Sequence, residues 1–307
     1  MPGRLVECVP NFSEGRRPEV IDAIVAPLVG VPGVRLLDRR ADPDHNRLVV
    51  SLVGDPDPLA DALVAACRVA VETIDLRTHQ GAHPRIGAVD VVPFVPLRGV
   101  TMAECVRIAR EFGGRLNRET GVPVYFYEEA ATRPDRRNLE DVRRGQFEAL
   151  RREIGKPGRA PDVGDAAVHP SAGAAAVGAR RFLVAFNVNL ASRDLAVAKA
   201  IARAVRASGG GLPHVKAVGV DLADRGMVQV SMNLTNHEAT PLHEALDRVR
   251  AEARSRGVEV AETELYGMVP AAAVLAAAAH YLQAAGFDGS QVIELRLLDG
   301  EPGEADG

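Results

Sequence analysis

The stretches Val9-Pro10-Asn11-Phe12 and Phe186-Asn187-Val188-Asn189 decide the fold, because they are alike and each stands at the opening of one half of the chain. In both halves, apolar periodicity and turn residues predict the order strand, helix, strand, strand, helix, strand. That order is the split βαββαβ motif. An open sheet of this kind has one face covered by helices and a second face that needs a partner. The sequence therefore predicts an α/β (α+β) protein of two ferredoxin-like βαββαβ subdomains, with helices on one face of each open sheet and a cleft between them.

The two sets of predicted elements are separated by a long loop at residues 161–178, which is dense in Gly, Ala and Pro. The predicted strands are 5–9, 34–37, 48–53, 89–95 and 122–127 in the first half, and 182–188, 215–220, 227–232 and 258–265 in the second. The predicted helices are 18–28, 57–74 and 101–116, followed by 195–207, 241–256 and 271–285. We therefore expect an N-terminal subdomain at 1–178, a C-terminal subdomain at 179–300 and a disordered tail at 301–307.

The composition is that of an ordinary globular protein and argues against several classes. With 307 residues the chain is long enough for two domains. A net charge of −4 and an aromatic content of 4% give little basis for binding nucleic acid. Cys8, Cys67 and Cys105 are widely spaced and predict neither a disulfide framework nor a metal site. The longest apolar stretch, 269–279, is too short to cross a membrane, and the N-terminal residues lack a signal-peptide pattern. We expect a cytoplasmic protein that binds neither membranes nor nucleic acid.

The segment at residues 79–87, HQGAHPRIG, contains the strongest candidate for acid–base chemistry. Histidine suits proton transfer at neutral pH because its ordinary pKa is about 6.5. His79 and His83 have the spacing of a helical zinc site, but Gly81 and Pro84 would break the helix that such a site needs. We expect a loop that carries His83 as a proton shuttle, and a kcat/KM that falls below an apparent pKa of about 6.5. The alternative is a structural loop histidine.

A polar loop at residues 42–47 precedes the predicted strand at 48–53. It is expected to supply either a carboxylate that orients His83 or donors for an acidic substrate, and the alternative is a charged turn. The candidate supporting groups around His83 are Asp42, Asp44, His45, Asn46, Arg47, His79 and Arg85.

A run of small residues at 169–180 would let the backbone approach a planar ligand closely. The chain contains neither a GxGxxG nor a Walker motif, so a dinucleotide or nucleoside triphosphate site is not expected.

Taken together, these segments resemble the glutamate formiminotransferases, a folate-dependent family. The matching stretches are 6–15 (VECVPNFSEG), 83–96 (HPRIGAVDVVPFVP), 122–125 (VPVY), 144–148 (RGQFE) and 178–190 (GARRFLVAFNVNL). The resemblance implies transfer of the formimino group from N-formimino-L-glutamate to N5 of tetrahydrofolate, which acts as co-substrate, with no metal required. It also implies a form of the enzyme without the cyclodeaminase domain that many eukaryotic members carry. The open sheet faces, which need a cover, lead us to expect a homodimer.

The resemblance also implies roles for particular residues. The catalytic histidine of the family lies in a His-Pro-Arg motif, which here begins at His83. The family binds folate with a small-residue loop, here 164–173, and with a second segment at about 210–219. The implied folate-binding residues are Gly164, His169, Pro170, Ser171, Gly173, His214, Lys216 and Gly219.

Other functions are compatible with the same residues. The alternatives are the same fold acting on a formyl donor, 5-formyltetrahydrofolate or formylglutamate, and a folate-binding protein without turnover. An RNA-binding ferredoxin-like module is disfavoured by the acidic balance of charge. The stretch at 133–159 holds nine basic and five acidic residues, and suggests either a solvated helix face or a surface for the polyglutamate tail of folate.

Overall fold

The computed structural model describes residues 3–299. The chain divides between Arg180 and Arg181 into two compact units, which we call the first and the second unit. This division lies close to the boundary expected at Gly178. The tail expected at 301–307 lies outside the described residues.

The first unit is built on one mixed sheet. Its strands are β1 (Leu5–Cys8), β2 (Asn11–Phe12), β3 (Val34–Asp42), β4 (Arg47–Gly54), β5 (Val89–Arg98), β6 (Val124–Glu128) and β7 (Ala175–Ala179). Its helices are α1 (Pro18–Val25), α2 (Pro56–Thr73), α3 (Met102–Thr120), α4 (Leu139–Val142) and α5 (Gln146–Glu153). Strands β3, β4, β1 and β5 lie side by side and antiparallel, with β2 continuing the line of β1 between β4 and β5. This is the predicted ferredoxin-like arrangement.

Strand β7 extends this sheet, although most of its residues lie in the long loop expected at 161–178. It pairs in parallel with both β5 and β6. Its sequence, AAVGA, carries almost none of the branched and aromatic residues that indicate a strand. Small residues are required there, since a Cβ atom on Gly178 would lie 2.5 Å from the ring of Tyr127.

The strands added to the sheet are covered on both faces. Alternate residues of β6 point to opposite sides: Val124 and Phe126 join the core beneath α1, α2 and α3, whereas Tyr125 and Tyr127 face the other way. On that second side they pack against Val142, Leu150 and Ile154 from α4 and α5 and the turn after them. The predicted layout, with helices on one face, therefore gains a second helical layer over β5, β6 and β7.

The basic stretch at 133–159 supplies that second layer. Seven of its nine cations form ion pairs with carboxylates: Arg133–Asp135, Arg136–Asp162, Arg137–Glu129, Arg143–Asp90, Arg144–Asp141, Lys156–Glu153 and Arg159–Glu153. Since most of the positive charge is neutralised locally, the structure gives little support to a polyglutamate surface here.

The second unit has the same ferredoxin-like topology in its simplest form. Its strands are β8 (Val184–Leu190), β9 (Val215–Leu222), β10 (Met227–Leu234) and β11 (Val260–Tyr266). Its helices are α6 (Leu195–Val205), α7 (Leu242–Arg254), α8 (Ala271–Leu282) and α9 (Ile293–Asp299). The strand order β11–β8–β10–β9 is wholly antiparallel. A separate apolar core fills the space between this sheet and its helices, which confirms the predicted fold class. Among residues 3–299, no helix has both the length and the hydropathy needed to span a membrane.

Candidate active site

His83 lies on the loop between α2 and β5, which we call the His83 loop (residues 79–88). Backbone contacts fix its last residues to the sheet. The N–H of Ile86 donates to Oδ1 of Asp90 over 2.8 Å, and the carbonyl of Gly87 accepts from the hydroxyl of Ser13 over 2.7 Å. A side chain on Gly87 would collide with the carbonyl of Ala174. The loop therefore has little freedom where it enters β5.

Three charged side chains surround the imidazole of His83. Nη1 of Arg47 lies 3.3 Å from Nδ1, and Oδ2 of Asp90 lies 3.8 Å from Nε2. The same Oδ2 accepts a short hydrogen bond from Arg143. The side chain of His83 is 17% exposed and that of Asp90 is 2% exposed, so these charges act in a largely desolvated space.

This environment keeps His83 neutral. Burial, with added repulsion from Arg47, Arg143, His45 and His79, lowers the pKa of His83 to about 2. This lowered pKa favours an acid limb of kcat/KM below the ordinary imidazole value that was expected from the sequence. A neutral imidazole retains a lone pair, which is the form that a general base needs.

His79 and Arg85 form a support behind the loop. Nε of Arg85 donates to Nδ1 of His79 over 3.1 Å, and the guanidinium also binds both carboxylate oxygens of Glu148. Nε2 of His79 in turn lies 3.0 Å from the carbonyl of Asn46. Burial lowers the pKa of His79. These predicted supporting residues hold the loop in place and do not contact His83 by hydrogen bonds.

Of the two roles expected for the polar loop at 42–47, the geometry does not favour a carboxylate that orients His83. The Asp42 carboxylate binds Nδ1 of His45 at 2.7 Å, and the backbone N–H groups of Asp44 and His45 donate to it. Burial would raise the pKa of Asp42, but these hydrogen bonds outweigh it and the pKa is lowered. The carboxylate nearest His83 is therefore Asp90, and the loop contributes Arg47 instead.

Asn46 has a structural task within this polar loop. Its side chain accepts from the N–H of Gly15 and donates to the carbonyl of Gln80. Asn46 is only 8% exposed, and its buried side chain connects the polar loop to the His83 loop through these hydrogen bonds.

The small-residue segment at 164–173 lies against the His83 loop. Gly173 faces Gly87 in an isolated β-bridge, and the N–H of Ala88 donates to the carbonyl of Ala172 over 2.8 Å. Gly173 has a φ of +72°, and a side chain on it would collide with the carbonyl of Ile86. The structure thus brings together two regions that are far apart in sequence.

Within this segment, His169 closes a tight turn. Its Nδ1 accepts from the N–H of Ala172 over 3.0 Å, and its backbone pairs with Gly173. Burial lowers the pKa of His169. Ser171 is half-buried and Pro170 is exposed, while Gly164 has a φ of +91° beside the side chain of Asn117.

The second predicted segment lies in the second unit, at the start of β9. His214 has a φ of +59° immediately before this strand, and Lys216 is paired in register with Asn233 of β10. Gly219 has a packing role, since a side chain there would collide with the backbone of Ala198 and Lys199 in α6.

Sequence reasoning missed Asp90 and Arg143. Asp90 could have been found from the sequence, because it is a single acidic residue within an otherwise apolar strand that reads VDVVPFV, and a buried acid needs a partner. Arg143 gave no such signal, since it is one of several arginines in a charged stretch. Among the residues that the structure describes, no group of three or more His, Cys, Asp or Glu side chains is placed to hold a metal ion.

Comparisons with known proteins agree with this geometry. Residues 5–180 match the family described as the formiminotransferase domain, N-terminal subdomain, and residues 185–295 match the formiminotransferase domain. The chain is 47% identical to a glutamate formimidoyltransferase of Streptococcus pyogenes, over 96% of this chain and 99% of the relative. It is 46% identical to a glutamate formimidoyltransferase of Thermoplasma acidophilum, over 95% and 97% respectively. A formimidoyltransferase-cyclodeaminase of Rattus norvegicus is 45% identical over 91% of this chain and 52% of the relative. With both units matched and two relatives covered over nearly their whole length, the chain belongs to the formiminotransferase family.

Proposed function

We propose that this protein transfers the formimino group of N-formimino-L-glutamate to N5 of tetrahydrofolate, giving 5-formiminotetrahydrofolate and L-glutamate. The observation that carries this proposal is the neutral, largely buried His83 on a loop joined to the small-residue segment, within a chain of the formiminotransferase family. Tetrahydrofolate acts as co-substrate, and the residues described here suffice for the proton transfers.

The chemistry requires one proton to move in each direction. Attack of N5 on the formimino carbon forms a tetrahedral adduct, and N5 loses its proton. Glutamate then departs as an amine, and its nitrogen gains a proton. A single histidine that is neutral at the start can accept the first proton and return it for the second step. The substrate amidinium is already electrophilic, so holding both substrates in register supplies much of the remaining rate.

Arg47 is the residue proposed to hold a carboxylate of formiminoglutamate. Its guanidinium reaches Nδ1 of His83 at 3.3 Å, so a substrate carboxylate bound to it would lie next to the base. Guanidinium groups bind carboxylates through paired hydrogen bonds. The negative charge of the substrate would also offset the repulsion that keeps His83 neutral.

Folate is proposed to bind along the small-residue segment, through Gly164, His169, Pro170, Ser171 and Gly173. The contacts between this segment and the His83 loop support the proposal, because they would place the base beside the bound pterin. His214, Lys216 and Gly219 are proposed as a second folate-binding segment, on the strength of the family resemblance.

A homodimer in the reducing cytoplasm completes the proposal. Leu282 on α8 is 74% exposed, and Leu265 and Tyr266 on β11 are also exposed, which would suit burial against a second copy. All three cysteines are buried and free. Burial raises the pKa of Cys8 and Cys67, so these thiols resist oxidation.

The test is a steady-state assay with formiminoglutamate and tetrahydrofolate, run beside assays with formylglutamate and with 5-formyltetrahydrofolate as donors. We expect turnover with the formimino donor. His83→Ala should lower kcat by roughly 10² to 10⁴, with the Kd of folate within about threefold of the wild-type value. His280→Ala, which removes an exposed histidine on α8, is the matched control and should keep kcat.

Three outcomes would contradict the proposal. Preference for a formyl donor would change the assigned reaction. Tight folate binding without any product would identify a binding protein. A kcat of His83→Ala within about threefold of the wild-type value would mean that another group is the base.

A further inference from the structure

Asp90 occupies an irregular position in β5 that turns its side chain toward His83. In the pairing of β2 with β5, Asn11 lies opposite Val91 and Phe12 lies opposite Val89, so Asp90 is an extra residue in the ladder. Such a β-bulge redirects a side chain and is common beside active sites. Asp90 is also 1% exposed, which is rare for a carboxylate unless it has a defined partner.

The two carboxylate oxygens of Asp90 have different hydrogen-bond partners. Oδ1 accepts from the N–H of Ile86, which ties the carboxylate to the loop that carries His83. Oδ2 binds Arg143 and lies 3.8 Å from Nε2 of His83, which is beyond hydrogen-bond range. Nε2 itself is fully buried and has no hydrogen-bond partner among the described residues. A small rotation of the imidazole or of Asp90 would therefore complete a bond that is nearly formed.

The opposite side of the ring determines where the proton sits. Arg47 has only donor groups, so the nitrogen that it contacts, Nδ1, must present a lone pair. In the neutral ring the proton is then on Nε2, facing the acceptor Oδ2 of Asp90. Both neighbours consequently favour the same tautomer.

We propose that Asp90 is a positioning residue for His83: it selects the tautomer with the proton on Nε2, so that Nδ1 exchanges protons with the substrates, and it stabilises the imidazolium that forms. Arg143 restrains the same carboxylate oxygen, so Asp90 comes within hydrogen-bond distance of Nε2 only when His83 becomes positively charged. This proposal rests on the proposed function, because it assigns partners to a base that the proposed function requires.

The charges that face His83 from every side are consistent with this arrangement. Arg47 comes from β4, Arg143 from the turn after α4, and His45 and His79 from the two adjoining loops, while Asp90 is the one anion among the charged groups named here. Arg143 offsets that anion at rest. When His83 is protonated, the Asp90 carboxylate stabilises the imidazolium through a charge-assisted hydrogen bond.

The test combines Asp90→Asn with ¹⁵N NMR of the histidine rings in the full-length protein. In the wild type we expect His83 to carry its proton on Nε2. In Asp90→Asn, the orientation that keeps an oxygen for Ile86 turns the amide N–H group toward Nε2 and toward Arg143. We therefore expect loss of the Arg143 hydrogen bond and a shift toward the Nδ1–H tautomer. We expect kcat to fall by roughly 10² to 10⁴ while the KM of each substrate stays within about threefold.

Arg143→Gln provides a second variant that leaves Asp90 in place. Loss of its positive charge should raise the pKa of His83 in an NMR titration and move the acid limb of kcat/KM to higher pH. The matched control is Asp162→Asn, which disrupts a comparably buried pair, Arg136–Asp162, with side chains 6% and 7% exposed. The control should leave the tautomer and the pKa of His83 unchanged.

Because Arg47 favours the same tautomer, retention of the Nε2–H tautomer in Asp90→Asn would assign that choice to Arg47 and overturn the role of Asp90, whatever the activity. An unchanged His83 pKa in Arg143→Gln would overturn the role of Arg143. Failure of this inference is distinguishable from failure of the proposed function. If His83→Ala abolishes turnover while Asp90→Asn keeps the tautomer, the base is right and its partner is wrong. If His83→Ala retains turnover, the proposed base itself is wrong.

Discussion

His83 shows how a single residue can make stability depend on pH. The pKa of His83 in the folded protein is about 2, whereas an unfolded chain has the ordinary value of about 6.5. On acidification the unfolded state therefore binds a proton before the folded state does. Above pH 6.5 the ring is neutral in both states and its titration does not affect stability. As the pH falls below 6.5 toward the folded value, protonation of the unfolded state lowers the free energy of unfolding.

From this we predict a loss of stability in mild acid that depends on His83. Between pH 7 and pH 5, the wild type should lose about 2 kcal/mol of unfolding free energy through this residue alone. His83→Gln lacks the titrating group and should lose correspondingly less over the same range. Urea unfolding at several pH values measures the difference. Parallel pH dependence in the two proteins would show that His83 is not held neutral in the folded state.

At the scale of elements, helix α3 contains two adjacent glycines, Gly113 and Gly114. Only the first lies too close to a neighbouring side chain to carry a Cβ atom. The helix begins at a capping box formed by Thr101 and Glu104. A Cβ on Gly113 would lie 2.8 Å from the ring of Phe126 in β6, because the helix packs closely on the sheet at that point. A Cβ on Gly114 meets only the end of the flexible Arg118 side chain, at 3.4 Å.

We predict that alanine has opposite effects at these two positions. Gly114→Ala should stabilise the protein by roughly 0.5–1 kcal/mol, since alanine loses less backbone entropy than glycine in a helix. Gly113→Ala gains the same entropy but should be destabilised by roughly 1–3 kcal/mol from overpacking. Each variant is the control for the other in thermal or urea unfolding. Equal effects at the two sites would mean that the contact between α3 and β6 is looser than the structure indicates.

At the scale of the whole molecule, the apolar cores are separate. One group of buried residues, including Leu63, belongs to the first unit, and another, including Val230, belongs to the second. We predict that Val230→Ala increases hydrogen exchange of amides in β8, β9 and β10 while β4 and β5 stay protected. The reason is that the substitution leaves a cavity only in the core of the second unit, so only that unit loses local stability. Leu63→Ala, expected to cost roughly 2–5 kcal/mol, should show the reverse pattern. Loss of protection in both units from either change would show that they unfold as one.

The sequence alone determined the features that depend only on residues close together in the chain, namely the helices, strands, caps and turns. Apolar periodicity placed the ferredoxin-like strands and helices of both units, and the capping residues predicted the start of α3. The combination of glycine, proline and histidine at 79–87 indicated a loop and made His83 a candidate proton shuttle. These patterns are local because helix and strand periods, caps and turns are set within a few residues.

Only the tertiary structure decided the partners of that histidine and the extent of the sheet. Asp90 and Arg143 are 53 residues apart, and their meeting depends on a bulge in β5 and on the packing of α4 over the second face of the sheet. Strand β7 has little strand propensity of its own and becomes a strand because β5 and β6 offer hydrogen bonds on both sides. The pKa of His83 likewise comes from burial and from arginines distant in sequence, which a local pattern does not record.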